Sequence, residues 1–217
     1  MKMRWLILPL LLAAGPVLAD TTSFQEGVNY KPMMPAQPTD VGPGQVEVIE
    51  FFWYGCPHCN ALEPYLEGWL QHKPKNVVFK RIPVAQAWGE QMDVDGRAFF
   101  TAQVLGIGDK IHAPFFDAIH KEGQGELRTD VDAIRSFFGK FGVSPKDFDA
   151  AWNSFGVQAK MAEAANMEQR YGLEGVPTIV VNGKWRTGAG YELTNADIMK
   201  CVQFLVDRES GAAPRKK

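Results

Sequence analysis

Val46 to Trp53 is an almost continuous run of β-type residues, the pattern of a strand covered on both faces. Cys56 to Leu70 follows at helical spacing, entered through Cys56-Pro57. Pro64 stands inside that helix, where its ring removes the bond to the carbonyl of Asn60 and should kink it. Val77 to Val84 predicts a second strand. A strand, a helix and a strand in such close succession form a βαβ unit, hence a partly parallel sheet.

From Gln91 to Tyr171 the period changes to helical, with apolar faces over Arg97 to Leu105 and Ile111 to His120. Thr129-Asp130-Val131-Asp132 predicts a helix start with Thr129 as N-cap, and Ser144-Pro145-Lys146-Asp147 predicts another with Ser144 as N-cap. Gly172 should close the last long helix. Two short β-type runs, Thr178 to Val181 and Lys184 to Thr187, then flank Asn182-Gly183, a two-residue hairpin turn. Thr194 opens a terminal helix in which Ile198, Cys201, Val202 and Leu205 share one face. The chain thus reads as a β-α-β half and a β-β-α half, separated by a long helical segment.

The ends read differently. Lys2 and Arg4 precede an apolar run from Trp5 to Leu12, and Val17-Leu18-Ala19 places small residues where a signal peptidase cuts before Asp20. Gly15-Pro16 interrupts the run well short of the roughly 20 residues that span a bilayer, so residues 1–19 are expected to be a cleaved signal. Residues 31–44 hold Pro32, Pro35, Pro38 and Pro43, a leader suited to neither helix nor central strand. The expected organisation is a signal at 1–19, a first part of the main domain at 20–89 and a helical insertion at 90–170, then its second part at 171–210 and a tail at 211–217. Composition adds exclusions. At 217 residues and 46% hydrophobic the chain is globular, and a net charge of −2 offers no basic field for nucleic acid. An exported chain would occupy an oxidising space, where disulfides persist.

Against that background the segment Trp53-Tyr54-Gly55-Cys56-Pro57-His58-Cys59 carries the chemistry. As a structural staple, a loop of four residues would contribute only roughly 2 kcal/mol. A zinc site needs four ligands, and neither a second C-x-x-C nor a ligand spacing among His72, His112, His120 and Cys201 supplies them, so no metal is expected. A pair of idle thiols is the remaining alternative. Redox exchange accounts for each residue. Unpaired N–H groups at a helix start stabilise a thiolate at Cys56, and Pro57 removes one donor without penalty. His58 can donate to that thiolate or carry charge beside it. Cys56 would be the exposed sulfur that attacks or is attacked, and Cys59, one turn on, would resolve the mixed disulfide.

The motif resembles the thioredoxin superfamily, and more closely the DsbA family of periplasmic thiol oxidases, whose motif is Cys-Pro-His-Cys. The likeness continues through Val46-Glu47-Val48-Ile49-Glu50-Phe51-Phe52, Pro64, the helical insertion, Phe148 to Phe155, Gly175-Val176-Pro177 and the hairpin Val180 to Lys184. It implies an α/β thioredoxin fold, a central mixed sheet flanked by helices and interrupted by an all-helical insertion. It also implies a cis Pro177 opposite the cysteines, with Val176 offering its backbone to an extended substrate. Glu50 interrupts an apolar strand on the face of Val48 and Phe52, and if buried it needs a partner. Lys80 and Glu63 are the candidates, and the resemblance places acids and a lysine at such positions beneath the cysteines. Glu50 would then relay the proton of Cys59, unless it is a solvated acid at the strand end. Cys201 is expected to be a buried, inert thiol.

The expected activity is that of a monomeric, periplasmic dithiol oxidase, its only redox group the Cys56–Cys59 disulfide, acting on reduced, newly exported proteins. The resemblance further implies reoxidation by a membrane, quinone-linked partner of the DsbB type. A disulfide isomerase, a reductase or a non-catalytic binder using Trp53 and Tyr54 are the rivals. Isomerases of this superfamily usually add an N-terminal dimerisation domain, for which residues 20–45 are too short and too rich in proline.

Overall fold

Strand β2 (Val46–Phe52) runs through the middle of a five-stranded sheet and is buried along its whole length. It pairs in parallel with β3 (Val77–Pro83) and antiparallel with β4 (Thr178–Val181), which continues to β5 (Trp185–Gly188) and to the two-residue edge strand β1 (Lys31–Pro32). The sheet order is β1-β5-β4-β2-β3. The computed structural model describes residues 24–84 and 90–211; the predicted signal and all but the first residue of the predicted tail lie outside them.

Alternation along β2 sorts its side chains between two layers. Val46 and Val48 pack with Leu62 and Leu66 of α1 (Pro57–Leu70) and with Ile198, Val202 and Leu205 of α7 (Asn195–Glu209). Ile49 and Phe51 face Met167 and Tyr171 of α6 (Phe155–Tyr171) on the other side. Both faces are covered, which is why the strand can be apolar on both. Between β3 and β4 lie α2 (Glu90–Val104), α3 (Gly108–His120), a 3-10 turn (Gly125–Arg128), α4 (Val131–Gly139), α5 (Pro145–Trp152) and α6. Their aromatic core, including Phe99, Phe115, Phe116 and Phe138, joins Phe52, Tyr54, Cys56 and Cys59 in one cluster. The insertion therefore packs against the redox motif itself. The architecture is a thioredoxin fold with a helical insertion.

Local signals set the element ends. Ser144 and Thr194 each accept a backbone N–H from the third residue on, at 3.1 and 3.2 Å. Gly172 closes α6 at φ 53°, and Asn182 and Gly183 both take positive φ, as a hairpin turn of two residues requires. The α4 cap differs from expectation: Asp130, not Thr129, caps it, its Oδ1 accepting from the N–H groups of Asp132 and Ala133 at 2.8 and 3.3 Å. A carboxylate is the stronger acceptor at a helix start. Pro32 occupies an edge strand, where its missing donor leaves no gap in the ladder.

Candidate active site

The turn from β2 into α1 presents the two cysteines unequally. Cys56 is the N-cap of α1 in extended conformation, its N–H donating to the Trp53 carbonyl at 3.0 Å, and Pro57 takes the first helical position. Pro57 and His58 are exposed; Cys56, expected to be exposed, is itself buried against Val176 and keeps 6% of its surface, while Cys59 one turn further in keeps none. All three cysteines of the chain are free thiols in this structure. The Cys59 thiol donates to the Cys56 sulfur. That bond, together with the backbone N–H groups of Cys59 and His58 and the charge of His58, outweighs burial and lowers Cys56 to about 6. Burial pushes Cys59 the other way, well above an ordinary thiol, and the nearby Cys56 and Glu50 add to the rise. One sulfur is thus prepared as a thiolate and the other as a thiol.

Val176 and Pro177 face this pair from the loop before β4. The Val176–Pro177 peptide is cis, and the Val176 carbonyl accepts from Cys56 Sγ at 3.5 Å. The loop is tied down by Thr178 Oγ1 donating to the Gly175 carbonyl at 2.7 Å and by Ala189 N–H donating to the Pro177 carbonyl at 2.8 Å.

Beneath the cysteines runs a chain of buried polar groups. Glu50 is fully buried, and its Oε2 accepts from Arg81 Nε at 3.2 Å. Desolvation, reinforced by the negative charge of Glu63, pushes Glu50 up to about 8 against the pull of Arg81. Arg81 Nη2 also donates to Glu63 Oε2 at 3.3 Å and to Glu67. Glu63 Oε1 meets His112 Nε2 at 3.3 Å, and His112 Nδ1 meets the Tyr54 hydroxyl at 2.9 Å. Burial would raise Glu63, yet the hydrogen bond from His112 and the charge of Arg81 hold it below the usual carboxylate range. Burial also favours neutral His112 and keeps the Tyr54 phenol protonated.

The expected pairing of Lys80 with Glu50 is corrected by the strand register. In the parallel pair Glu50 stands opposite Arg81 and Ile49 opposite Lys80, so Lys80 points to the other face. There it binds Glu47 Oε2 at 2.7 Å and reaches Asp40 at 3.5 Å. Glu63 does lie in the same network as Glu50, through Arg81. Sequence reasoning missed Arg81, Tyr54 and His112, and also Asp95, a buried acid from α2 lying against the Trp53 indole and Gly55. For His112 the available signal was a polar residue on an apolar helix face, beside Ile111, Phe115 and Phe116. Cys201 lies in the core with no exposure, and burial pushes its thiol up to about 11. Among the described residues no cluster of three or more His, Cys, Asp or Glu side chains could hold a metal ion, and no helix is long and apolar enough to cross a membrane.

The chain is similar to known proteins. A family described as a DSBA-like thioredoxin domain matches residues 91–198. The thiol:disulfide interchange protein DsbA of Burkholderia cepacia is 38% identical over 201 residues, covering 93% of each chain. The chain belongs to the DsbA family. DsbA of Pseudomonas syringae pv. tomato is 36% identical and covers 99% of this chain and 100% of its own. The crystal structure of Pseudomonas aeruginosa DsbA superposes with a TM-score of 0.79 at 33% identity, covering 88% of this chain and 97% of that one. That of DsbA from Xylella fastidiosa gives 0.77 at 30% identity, covering 85% and 96%. As a DsbA-family protein the chain is a protein thiol:disulfide oxidoreductase, a dithiol oxidase that passes the disulfide of its cysteine pair to reduced proteins by thiol-disulfide exchange. Family membership implies the periplasm as its compartment, unfolded proteins as substrates and a DsbB-like reoxidant.

Proposed function

We propose that Cys56 is the sulfur that meets the substrate and that Cys59 is its partner, the leaving group when substrate attacks Cys56 and the thiol that resolves a mixed disulfide in the reverse direction. The observation that carries this reading is the unequal pair: Cys56 at the helix start, 3.5 Å from the Val176 carbonyl, with Cys59 buried beneath it. A substrate thiolate attacks Cys56 Sγ in the oxidised protein, the Cys56–Cys59 bond breaks, and Cys59 leaves with the electron pair. Cys59 then takes a proton, because its buried site disfavours the anion. A second substrate thiolate attacks the substrate sulfur of the mixed disulfide and releases Cys56 as a thiolate. The substrate has lost two electrons and the cysteine pair has gained them.

The other site residues take supporting roles. His58 and the helix start stabilise the departing Cys56 thiolate, and Pro57 sets the first turn. Val176 offers its backbone to an extended substrate segment, with cis Pro177 holding that carbonyl toward Cys56. Main-chain recognition of this kind suits many client sequences. Glu50 supplies and accepts the Cys59 proton, since it is a buried acid raised to about 8 whose charge acts on that thiol. Residues 1–19 act as a cleaved export signal, and a membrane quinone-linked protein reoxidises the pair.

Trapping separates the roles of the sulfurs. With an unfolded substrate that carries a disulfide, reduced Cys59→Ser is expected to accumulate a mixed disulfide on Cys56, because Cys56 attacks and no second thiol follows, and Cys56→Ser to form little. Accumulation through Cys59 instead would reverse the assignment. Equilibration with glutathione, followed by Trp53 fluorescence, should find the disulfide easily reduced. Glu50→Gln should slow exchange and flatten its pH profile; an unchanged rate and profile would remove Glu50 from the relay. N-terminal sequencing of the exported protein should begin at Asp20.

A further inference from the structure

Two buried carboxylates share one guanidinium beneath the cysteines, and their surroundings differ oxygen by oxygen. Glu63 has a donor on each oxygen, His112 Nε2 on Oε1 and Arg81 Nη2 on Oε2, both at 3.3 Å. Glu50 has Arg81 Nε on Oε2 only, and its buried Oε1 has no hydrogen-bond partner among the described residues. A carboxylate with both oxygens satisfied is comfortable as an anion, whereas an unsatisfied buried oxygen is where a proton relieves the cost of burial. Two like charges around one cation cannot both ionise freely, so the pair shares out a proton unequally.

His112 is the element of this asymmetry that is neither on the sheet nor on the redox helix. It comes from α3 of the insertion, is 4% exposed, and is enclosed by Phe52, Phe99 and Phe116. Neutral imidazole fits both of its polar neighbours: Nε2–H donates to the Glu63 carboxylate, and Nδ1 accepts from the Tyr54 hydroxyl. The ionised carboxylate, an acceptor only, sets this tautomer, and the Tyr54 hydroxyl complements it at Nδ1 from a position two residues before Cys56. Other charged groups around the ring are Arg81 and Glu67, with Lys80, Asp109 and Lys160 lining the same cavity of about 330 Å³ that His112 and Arg81 border.

We propose that His112 is a positioning residue that decides which of the two buried glutamates holds the proton beneath the redox pair. By donating to Glu63 it keeps that carboxylate ionised and leaves the proton on Glu50, the acid that acts on Cys59. Without the donor, Glu63 would compete for the proton, its charge would no longer repel that of Glu50, and Arg81 would serve Glu50 more fully. Glu50 would then ionise at lower pH, and an anion would sit near Cys59 over more of the working range. The insertion thereby reaches the exchange chemistry through one imidazole. This deepens the relay reading of Glu50 and rests on it for its consequence in exchange, though not for the proton distribution itself.

The test follows the carboxyl carbons of glutamate by 13C NMR in the full-length reduced protein, with Glu50→Gln and Glu63→Gln used for assignment. In the native chain Glu50 should titrate far above Glu63. In His112→Phe the Glu50 midpoint should fall by about one pH unit, a tenfold change in its proton equilibrium, and that of Glu63 should rise. His112→Gln, whose amide can donate to Glu63, should recover most of the difference, which a packing role would not. An unmoved Glu50 midpoint in His112→Phe, or equal shifts in the Phe and Gln variants, would overturn the proposal. If His112→Phe does not fold, Tyr54→Phe carries the test: losing the hydroxyl that anchors the ring at Nδ1 should loosen its hold on Glu63 and move Glu50 in the same direction, and no movement rejects the proposal. Exchange rates on the same variants read the relay separately. A shifted Glu50 titration with an unchanged pH profile of exchange would support the assignment to His112 while dismissing Glu50 as the relay.

Discussion

Glu50 and Arg81 stand directly opposite each other across the parallel β2–β3 pair, and the guanidinium Nε lies 3.2 Å from the buried carboxylate. The same side chain also serves Glu63 and Glu67, so three acids from two elements depend on one cation. Lys80, its neighbour in sequence, serves Glu47 on the opposite face. Arg81→Met should therefore destabilise the fold by about 3–5 kcal/mol, because it strands the buried Glu63 carboxylate and removes the donor to buried Glu50. Lys80→Met should cost about 1–2 kcal/mol and leave the pH profile of exchange unchanged. Denaturation midpoints and exchange profiles of the two variants check both statements, and equal effects would contradict them.

The thiolate at Cys56 should be visible in alkylation. The iodoacetamide rate of the reduced protein should titrate near pH 6 rather than near the ordinary 9.0. The hydrogen bond from Cys59 is the largest cause, so Cys59→Ala should raise that midpoint by about a unit, and His58→Ala by less. The folded value is depressed, so this thiolate stabilises the reduced fold fully above the unfolded value of about 9. The benefit fades as pH falls through about 6. A larger effect from His58→Ala would reverse the ranking of causes.

Glu50 has the opposite sign. Its folded value of about 8 lies above the ordinary 4.5, so the native state prefers the neutral acid. Below pH 4.5 the carboxyl is protonated in both states and Glu50→Gln should change stability little. From there to about pH 8 the native protein should lose stability relative to Glu50→Gln, with the gap constant at higher pH. Its full size should be on the order of 5 kcal/mol. Urea titrations across this range check the trend, and a gap that opens on acidification instead would contradict it.

Gly188 closes against the loop of Pro177. At φ 132° it sits in backbone that favours glycine, and a Cβ there would collide with the Pro177 carbonyl oxygen and lie 3.1 Å from Thr178 Cα. Gly188→Ala should destabilise by about 1–3 kcal/mol and slow exchange, because the strain falls on the loop that faces Cys56. Gly190→Ala also has positive φ but meets nothing within 4 Å. It should cost about 1 kcal/mol and leave the exchange rate alone. Thermal melts with exchange assays on both variants distinguish the two.

Much of this protein is written locally. The C-x-x-C at a strand-to-helix handover, the caps at Ser144 and Thr194, the turn at Asn182-Gly183 and the apolar run of β2 each depend on residues a few positions apart, so a sequence can state them. The change from strand to helical period likewise marked the insertion, and the spacing of Cys56 and Cys59 pointed to redox exchange before any contact was known. What remained undecided was the pairing of charges. Glu50 was legible as a residue in need of a partner, but parallel register is set by packing. A slip of one residue exchanges Arg81 for Lys80 and one face of the sheet for the other. His112 and Tyr54 lie 58 positions apart, and only the folding of α3 back onto the β2–α1 turn brings the imidazole between Tyr54 and Glu63. The chemistry of the sulfurs follows from local order along the chain. The distribution of protons beneath them is a property of side chains that meet only when the core closes.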